Sequence, residues 1–200
     1  MKISILLPYK ENFSPSYPGA ISIFLKNTII KSKYKKDIIV YGFTKFKKKL
    51  SKKYINLNFK KTFFKSSTKS YLNKFIEKEK KIKSDIIEVH NRPKYVNLLS
   101  HYFKNIVLFF HNDPIDMSDS KSTKDRINLL NKTKRIIFNS NWTKKRFLIG
   151  LKLNASQKKK LIIINQSINK IKIDFNKKKI ILFLLGDLIN LKATIFLVNQ

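Results

Sequence analysis

Short apolar runs recur at residues 3–7, 37–41, 86–89, 106–110, 135–138 and 161–164, and polar stretches of helix length separate them. The runs are rich in Ile and Val and do not alternate with polar residues, a pattern that suits strands covered on both faces. Between them lie amphipathic stretches, such as 70–83 with Tyr71, Leu72, Phe75, Ile76 and Ile82, and 92–103 with Val96, Leu99 and Phe103. Strand–helix alternation of this kind predicts an α/β fold, a doubly wound parallel sheet with helices on both faces over residues 1–175. The segment 43–69 is less patterned, and one further strand is expected within 54–59.

Composition narrows the class. A hydrophobic content of 42% supports a buried core. The chain has no cysteine, which excludes disulfides and thiolate metal sites and suits a reducing, cytoplasmic setting. The apolar stretch of MKISILLPYK runs to about six residues, short of the roughly 7–15 of a signal-peptide core. The Asn-x-Ser/Thr triplets at Asn131, Asn141 and Asn154 are therefore read as chance.

The net charge of +32 invites a nucleic-acid or anionic-membrane partner. Only Arg92, Arg126, Arg135 and Arg146 are arginines, however, and the remaining basic residues are scattered lysines. Nucleic-acid surfaces lean on the bidentate guanidinium fork, so nucleic acid is the less favoured partner. Peripheral association with the anionic inner face of a membrane stays open.

In an open parallel sheet, ligands bind outside the carboxyl ends of the strands. The segments expected there are PYKENFSPSYPGA, HNRP, HNDP, NSNWT and NQSIN. Gly19 and Ala20 enter a helix, and a glycine there lets backbone N–H groups approach an anion; the alternative is a plain turn. His111, directly after VLFF, can donate to a hydroxyl or phosphate oxygen or take a proton, with Asn112 and Asp113 beside it. The alternative is that Asn-Asp-Pro is merely a turn. His90 in EVHNRP is a second candidate, whereas His101 is expected on a helix surface.

Ser140 fits a helix N-cap, and Ser122 with Asp125 fits a capping box; both could be structural. The histidines lack metal-ligand spacing, so no metal site is expected. The dinucleotide glycine pattern, the P-loop and the serine nucleophile elbow are all absent.

Taken in order, these motifs resemble the N-terminal domain of family 4 glycosyltransferases, enzymes of the GT-B type with two Rossmann-like halves. The matching segments are ISILLPYKENFSPSYPGAIS, VLFFHNDP, RIIFNSNWTKKRFL and, loosely, LIIINQSIN, together spanning residues 1–185. The last departs from the family pattern, with Gln166, Ser167 and Asn169 where Asn, Gly and Asp are usual, so Asn165 is the weakest carry-over. The resemblance implies a retaining sugar transfer from a nucleotide-sugar donor to a glycan or lipid-linked acceptor, with no bound metal or other cofactor. It places His111 at the reaction centre and Gly19, Ala20, His90, Asn112, Asp113, Ser140 and Asn165 around the substrates. The donor site would belong mostly to a second domain. A different class, a non-catalytic Lys-rich binding module, is what charge alone favours.

On this resemblance residues 176–200 are the first strand of a truncated donor-binding domain. Residues 180–198 approach the length of a membrane span, but Asp187 and Lys192 interrupt them, each costing about 2.5–3.5 kcal/mol near a helix centre. Where the family has ILFVGR, a few residues and KG, this chain has ILFLLGDLINLKATIFLVNQ. Shifting the reading frame from Gly186 and choosing permitted codons recovers GRLNKLKGYDIFGKS. The expectation is therefore that residues 186–200 are read out of frame and that the chain is catalytically impaired.

Overall fold

The computed structural model describes residues 1–59 and 66–166. Its seven strands are β1 (Ile3–Leu6), β2 (Ile38–Gly42), β3 (Tyr54–Asn56), β4 (Ile86–His90), β5 (Ile106–Phe110), β6 (Arg135–Phe138) and β7 (Leu161–Ile163). They form one sheet in the order β3-β2-β1-β4-β5-β6-β7, and every neighbouring pair is parallel. The doubly wound sheet expected from the apolar runs is thus present. The expected strand at 54–59 is shorter, because only Tyr54–Asn56 reaches a ladder partner on β2.

The helices are α1 (Ala20–Lys31), α2 (Ser67–Ile82), α3 (Pro93–Leu99), α4 (Thr123–Lys132), α5 (Asn141–Leu148) and α6 (Ala155–Lys158). They cover both faces, but unevenly. On one face α1 packs Ile21, Leu25 and Ile29 against Ile5, Leu7, Ile38 and Val40. On the other, α2 to α5 bury Tyr71, Phe75, Val96, Leu99, Leu129 and Phe147 against Leu6, Val89, Leu108, Phe110 and Phe138. Strand side chains alternate between faces, so one strand feeds both cores. β5, buried at every residue, is the middle of the larger one.

The predicted second helix begins three residues earlier than expected, at Ser67. The predicted helix over 92–103 ends at Leu99, and His101 sits in the turn beyond it, exposed. There the N–H groups of His101 and Tyr102 bond to the carbonyls of Leu98 and Leu99, a tightened last turn. Glu79 of α2, 1% exposed, is the one buried carboxylate among the described residues. It accepts from Ser4 Oγ (2.6 Å), Tyr41 Oη (3.1 Å) and the backbone N–H of Ser84 (2.8 Å), which meets the requirement that a buried acid be bonded. Its charge, after burial itself, pushes the Tyr41 phenol well above its usual range.

Residues 167–200, on which the expected first strand of a second domain and the reading-frame question fall, lie outside the described residues.

The chain runs outward from β1 through β2 to β3, then crosses back to β4 on the other side of β1. This reversal opens a crevice between the carboxyl ends of β1 and β4, the place where parallel sheets bind ligands.

Candidate active site at the carboxyl edge of the sheet

Because all strands are parallel, the residues after β1, β4, β5, β6 and β7 emerge on one edge. Gly19, His90, His111, Asn112, Asp113, Ser140 and Asn165 therefore share that edge, as their positions after successive strands required. The closest association is between two histidines. His90 ends β4 with no exposed surface, and its Nδ1 lies 2.8 Å from His111 Nε2. Behind it, Glu88 Oε1 approaches His90 Nε2 to 2.6 Å. The carboxylate sits off the direction of the ring N–H, so the contact is electrostatic more than directional. Glu88 and His90 are two apart on a strand, which puts both on the α1 face. On the cleft side, Gln166 Nε2 reaches His111 Nδ1 at 2.5 Å.

Aromatic rings fix the imidazoles. His111 stacks on Phe109 at 4.4 Å with an interplanar angle of 11°, and Phe24 of α1 meets its edge at 5.3 Å. Burial, and secondarily the neighbouring His90, holds His111 well below the ordinary histidine range, at about 2. It is thus a neutral imidazole at physiological pH.

The backbone around His111 is held as closely. Asn91 takes a left-handed conformation (φ 53°), which asparagine tolerates better than most residues. From there its Oδ1 accepts from the N–H groups of His111 (3.2 Å) and Asn112 (3.3 Å). Asn139 Nδ2 donates to the His111 carbonyl at 2.7 Å. Asn139 is itself oriented by the Thr143 hydroxyl at 2.6 Å. Thr143 in turn bonds Ser140, whose Oγ accepts from the Thr143 N–H at 3.1 Å and caps α5. Ser140 therefore reaches His111 only through Thr143 and Asn139, and its oxygen already serves the cap.

Asp113 Oδ1 accepts from Ile115 N–H and caps the 3-10 turn Pro114–Asp116, while Oδ2 meets Arg146 Nε at 2.7 Å. Asn112 and Asn165 are exposed.

Gly19 caps α1 with an ordinary φ of −74°, so its role is close approach rather than unusual backbone. A Cβ at Gly19 would stand 2.1 Å from Glu11 Oε1. That carboxylate oxygen accepts from Ser22 N–H at 2.8 Å. The helix N-terminus expected to face an anion thus faces one from its own loop. Ala20 is exposed at the start of α1. Gly19 and Ala20 have no direct contact with the histidines; α1 reaches them through Phe24.

Beside this cluster the edge is hollowed. One cavity of about 800 Å³ lies among Tyr9, Asn12, Tyr17, Phe43, Thr44 and Phe46, and another of about 400 Å³ among Tyr9, Asn91, Arg92, Tyr95 and Met117. Tyr9, Lys10 and Thr68 line both. Among the described residues, no group of three His, Cys, Asp or Glu could hold a metal ion. Glu88, His90 and His111 are strung in a line, and do not converge on a point.

Glu88, Asn91, Asn139, Arg146 and Glu11 were not singled out in the sequence. Glu88 alone carried a signal: a carboxylate inside the apolar run IIEVH, two residues before a histidine.

No family model matches the sequence. No curated protein matches it either. Among solved structures, the chain is similar to UDP-N-acetylglucosamine 2-epimerase from Rickettsia bellii, at 11% identity and a TM-score of 0.48, over 83% of this chain and 45% of that one. It is similar to UDP-GlcNAc 2-epimerase from Methanocaldococcus jannaschii at 13% identity and a TM-score of 0.48, over 83% and 46%. MurG from Acinetobacter baumannii aligns at 8% identity and a TM-score of 0.47, over 88% and 48%. At such identities the likeness is one of fold. The chain spans slightly less than half the length of these solved chains.

Proposed function

We propose that this chain is the acceptor-side half of a retaining glycosyltransferase of the family 4 type, acting on a nucleotide-sugar donor and a glycan or lipid-linked acceptor. The observation that carries the reading is His111: a neutral, half-buried imidazole at the crevice edge, tied to His90, with its backbone held by Asn91 and Asn139. Residues that only closed a turn would not require that apparatus. In this reading His111 meets a sugar hydroxyl near the reacting carbon, and Asn112, Asp113, Ser140 and Asn165 flank it. Gly19 and Ala20 border the donor phosphates, with the Glu11 carboxylate withdrawing when they bind. Stabilisation of the leaving diphosphate falls to the facing domain, whose helix termini and basic side chains meet the developing charge. The setting is cytoplasmic, with peripheral contact to an anionic membrane.

The net charge of +32 favours a second reading, a Lys-rich module that binds polyanions without chemistry. Affinity measured against salt separates the two. A polyanion binder loses affinity steeply as salt rises and is indifferent to His111→Ala. A glycosyltransferase half binds glycan or lipid-linked acceptor with little salt dependence and loses that binding in His111→Ala. The out-of-frame reading of residues 186–200 belongs to the same proposal, and sequencing the gene tests it. A stop codon soon after this region in the shifted frame would end it.

A further inference from the structure

The groups around His111 form an unbranched chain: Glu88, His90, His111, Gln166. Its links are 2.6 Å from Glu88 Oε1 to His90 Nε2, 2.8 Å from His90 Nδ1 to His111 Nε2, and 2.5 Å from His111 Nδ1 to Gln166 Nε2. Each of the last two contacts needs one hydrogen and one lone pair, and a neutral imidazole has one of each. An ionised carboxylate can only accept. At the first link the carboxylate lies off the N–H direction, but its charge at 2.6 Å favours the ring hydrogen on His90 Nε2, which leaves Nδ1 bare. That bare nitrogen takes the hydrogen of His111 Nε2, and His111 Nδ1 is left bare in turn. Its lone pair meets the Gln166 amide, which is placed to donate. The reverse polarity would require hydrogen on His90 Nδ1, from a doubly protonated His90 or a bare Nε2 set against the Glu88 carboxylate, and a turned amide at Gln166.

We infer that Glu88 is a positioning residue that acts through His90 to hold His111 as the Nε2–H tautomer, presenting Nδ1 to the cleft as a hydrogen-bond acceptor. The inference rests on the glycosyltransferase reading only for what it implies about substrate. A bare Nδ1 accepts from a hydroxyl and repels a phosphate oxygen, so His111 belongs against a sugar and not against the diphosphate. Gln166, exposed on the segment leaving β7, then stands in for that hydroxyl with its own N–H and withdraws when the sugar arrives. The surroundings agree. Phe24 and Phe109 enclose the imidazole, and the buried His90 shields Nε2 from any other partner. Burial keeps the ring uncharged, as the tautomer argument assumes.

The test is long-range proton–nitrogen NMR of the full chain carrying 15N-labelled histidine, which reports the tautomer of each ring. Both His90 and His111 are expected to carry hydrogen on Nε2 and none on Nδ1 at pH 7. His101, exposed, serves as the ordinary histidine for comparison. In Glu88→Leu both rings should lose the single tautomer and show averaged nitrogens, while Glu88→Gln, whose amide oxygen still accepts, should retain it. Adding inorganic pyrophosphate should leave His111 Nδ1 unprotonated. Hydrogen on Nδ1 of either ring in the wild type, or on His111 with pyrophosphate, overturns the inference. So do unchanged tautomers in a folded Glu88→Leu. If Glu88→Leu does not fold, the wild-type spectrum still decides. Because no turnover is measured, the assignment survives even if no glycosyl transfer is found, and the two readings fail separately.

Discussion

Two side chains show at the scale of single residues what the fold demands. Glu79 serves three donors at once from inside the core, so removing it strands Tyr41 and the Ser84 N–H and leaves Ser4 only the Ser84 hydroxyl. An unsatisfied buried donor costs about 1–3 kcal/mol, and the three share one acceptor, so their costs do not simply add. Glu79→Leu should destabilise the protein by about 3 kcal/mol in urea unfolding, with Tyr41→Phe costing far less. His111 makes a prediction in pH. Its folded value lies near 2, whereas an unfolded histidine titrates at about 6.5. Below about 6.5 the unfolded chain therefore binds a proton that the folded chain refuses, and stability falls as pH drops through that window. The slope from this one group is at most about 1.4 kcal/mol per pH unit. His111→Phe, which keeps the stack on Phe109, should flatten the dependence of urea midpoint on pH between 6 and 4. An identical slope in wild type and variant would contradict the neutral imidazole.

At the scale of elements, the loops after the strands matter more than the strands themselves. The first turn of α1 contains no acidic residue, and Glu11 of the preceding loop supplies the missing negative charge. Gly19→Ala would drive a methyl group into that carboxylate, so it should cost about 1–2 kcal/mol, the range of a lost cap. If the carboxylate is the cause, Gly19→Ala made in a Glu11→Ala background should cost almost nothing further, which a double-mutant cycle measures. α5 offers a related case. Ser140→Ala removes a cap worth about 1 kcal/mol. It also loosens Thr143 and Asn139, so the carbonyl of His111 should lose its partner and the His111 ring signals should broaden.

At the scale of the whole molecule, the proposed function makes the sheet one side of a cleft. A diphosphate held against one wall stays wet, and its charge is screened within about 8–10 Å at ordinary salt. Calorimetry with uridine, guanosine and adenosine diphosphate sugars should therefore show weak or no binding to this chain alone. Tight, specific binding of any of them would refute the division of labour proposed here. Among the described residues no helix is long and apolar enough to cross a membrane. If surface lysines carry the proposed contact with a membrane, binding to anionic vesicles should fall steeply as salt rises.

What the sequence by itself determined was whatever a few neighbouring residues decide. Unbroken apolar runs marked strands buried on both faces, and their alternation with helices implied parallel pairing, hence one common edge for His90, His111 and Ser140. The caps at Ser122 and Ser140 were legible for the same reason, since each bonds a backbone N–H three residues on. The end of α3 was not legible, because the apolar spacing of Val96, Leu99 and Phe103 continues past the point where the backbone tightens into turns. The tertiary structure decided everything that depends on which strand lies beside which. Parallel register sets His90 against Phe109, and only that brings His111, 21 residues on, onto the His90 ring. Glu88 became part of the site through the face it shares with His90, Gln166 through the position of β7, and Glu11 through the fold of its loop over α1. Such contacts leave no periodic trace in a chain, since a hydrogen bond constrains the distance between two atoms and not the number of residues separating them.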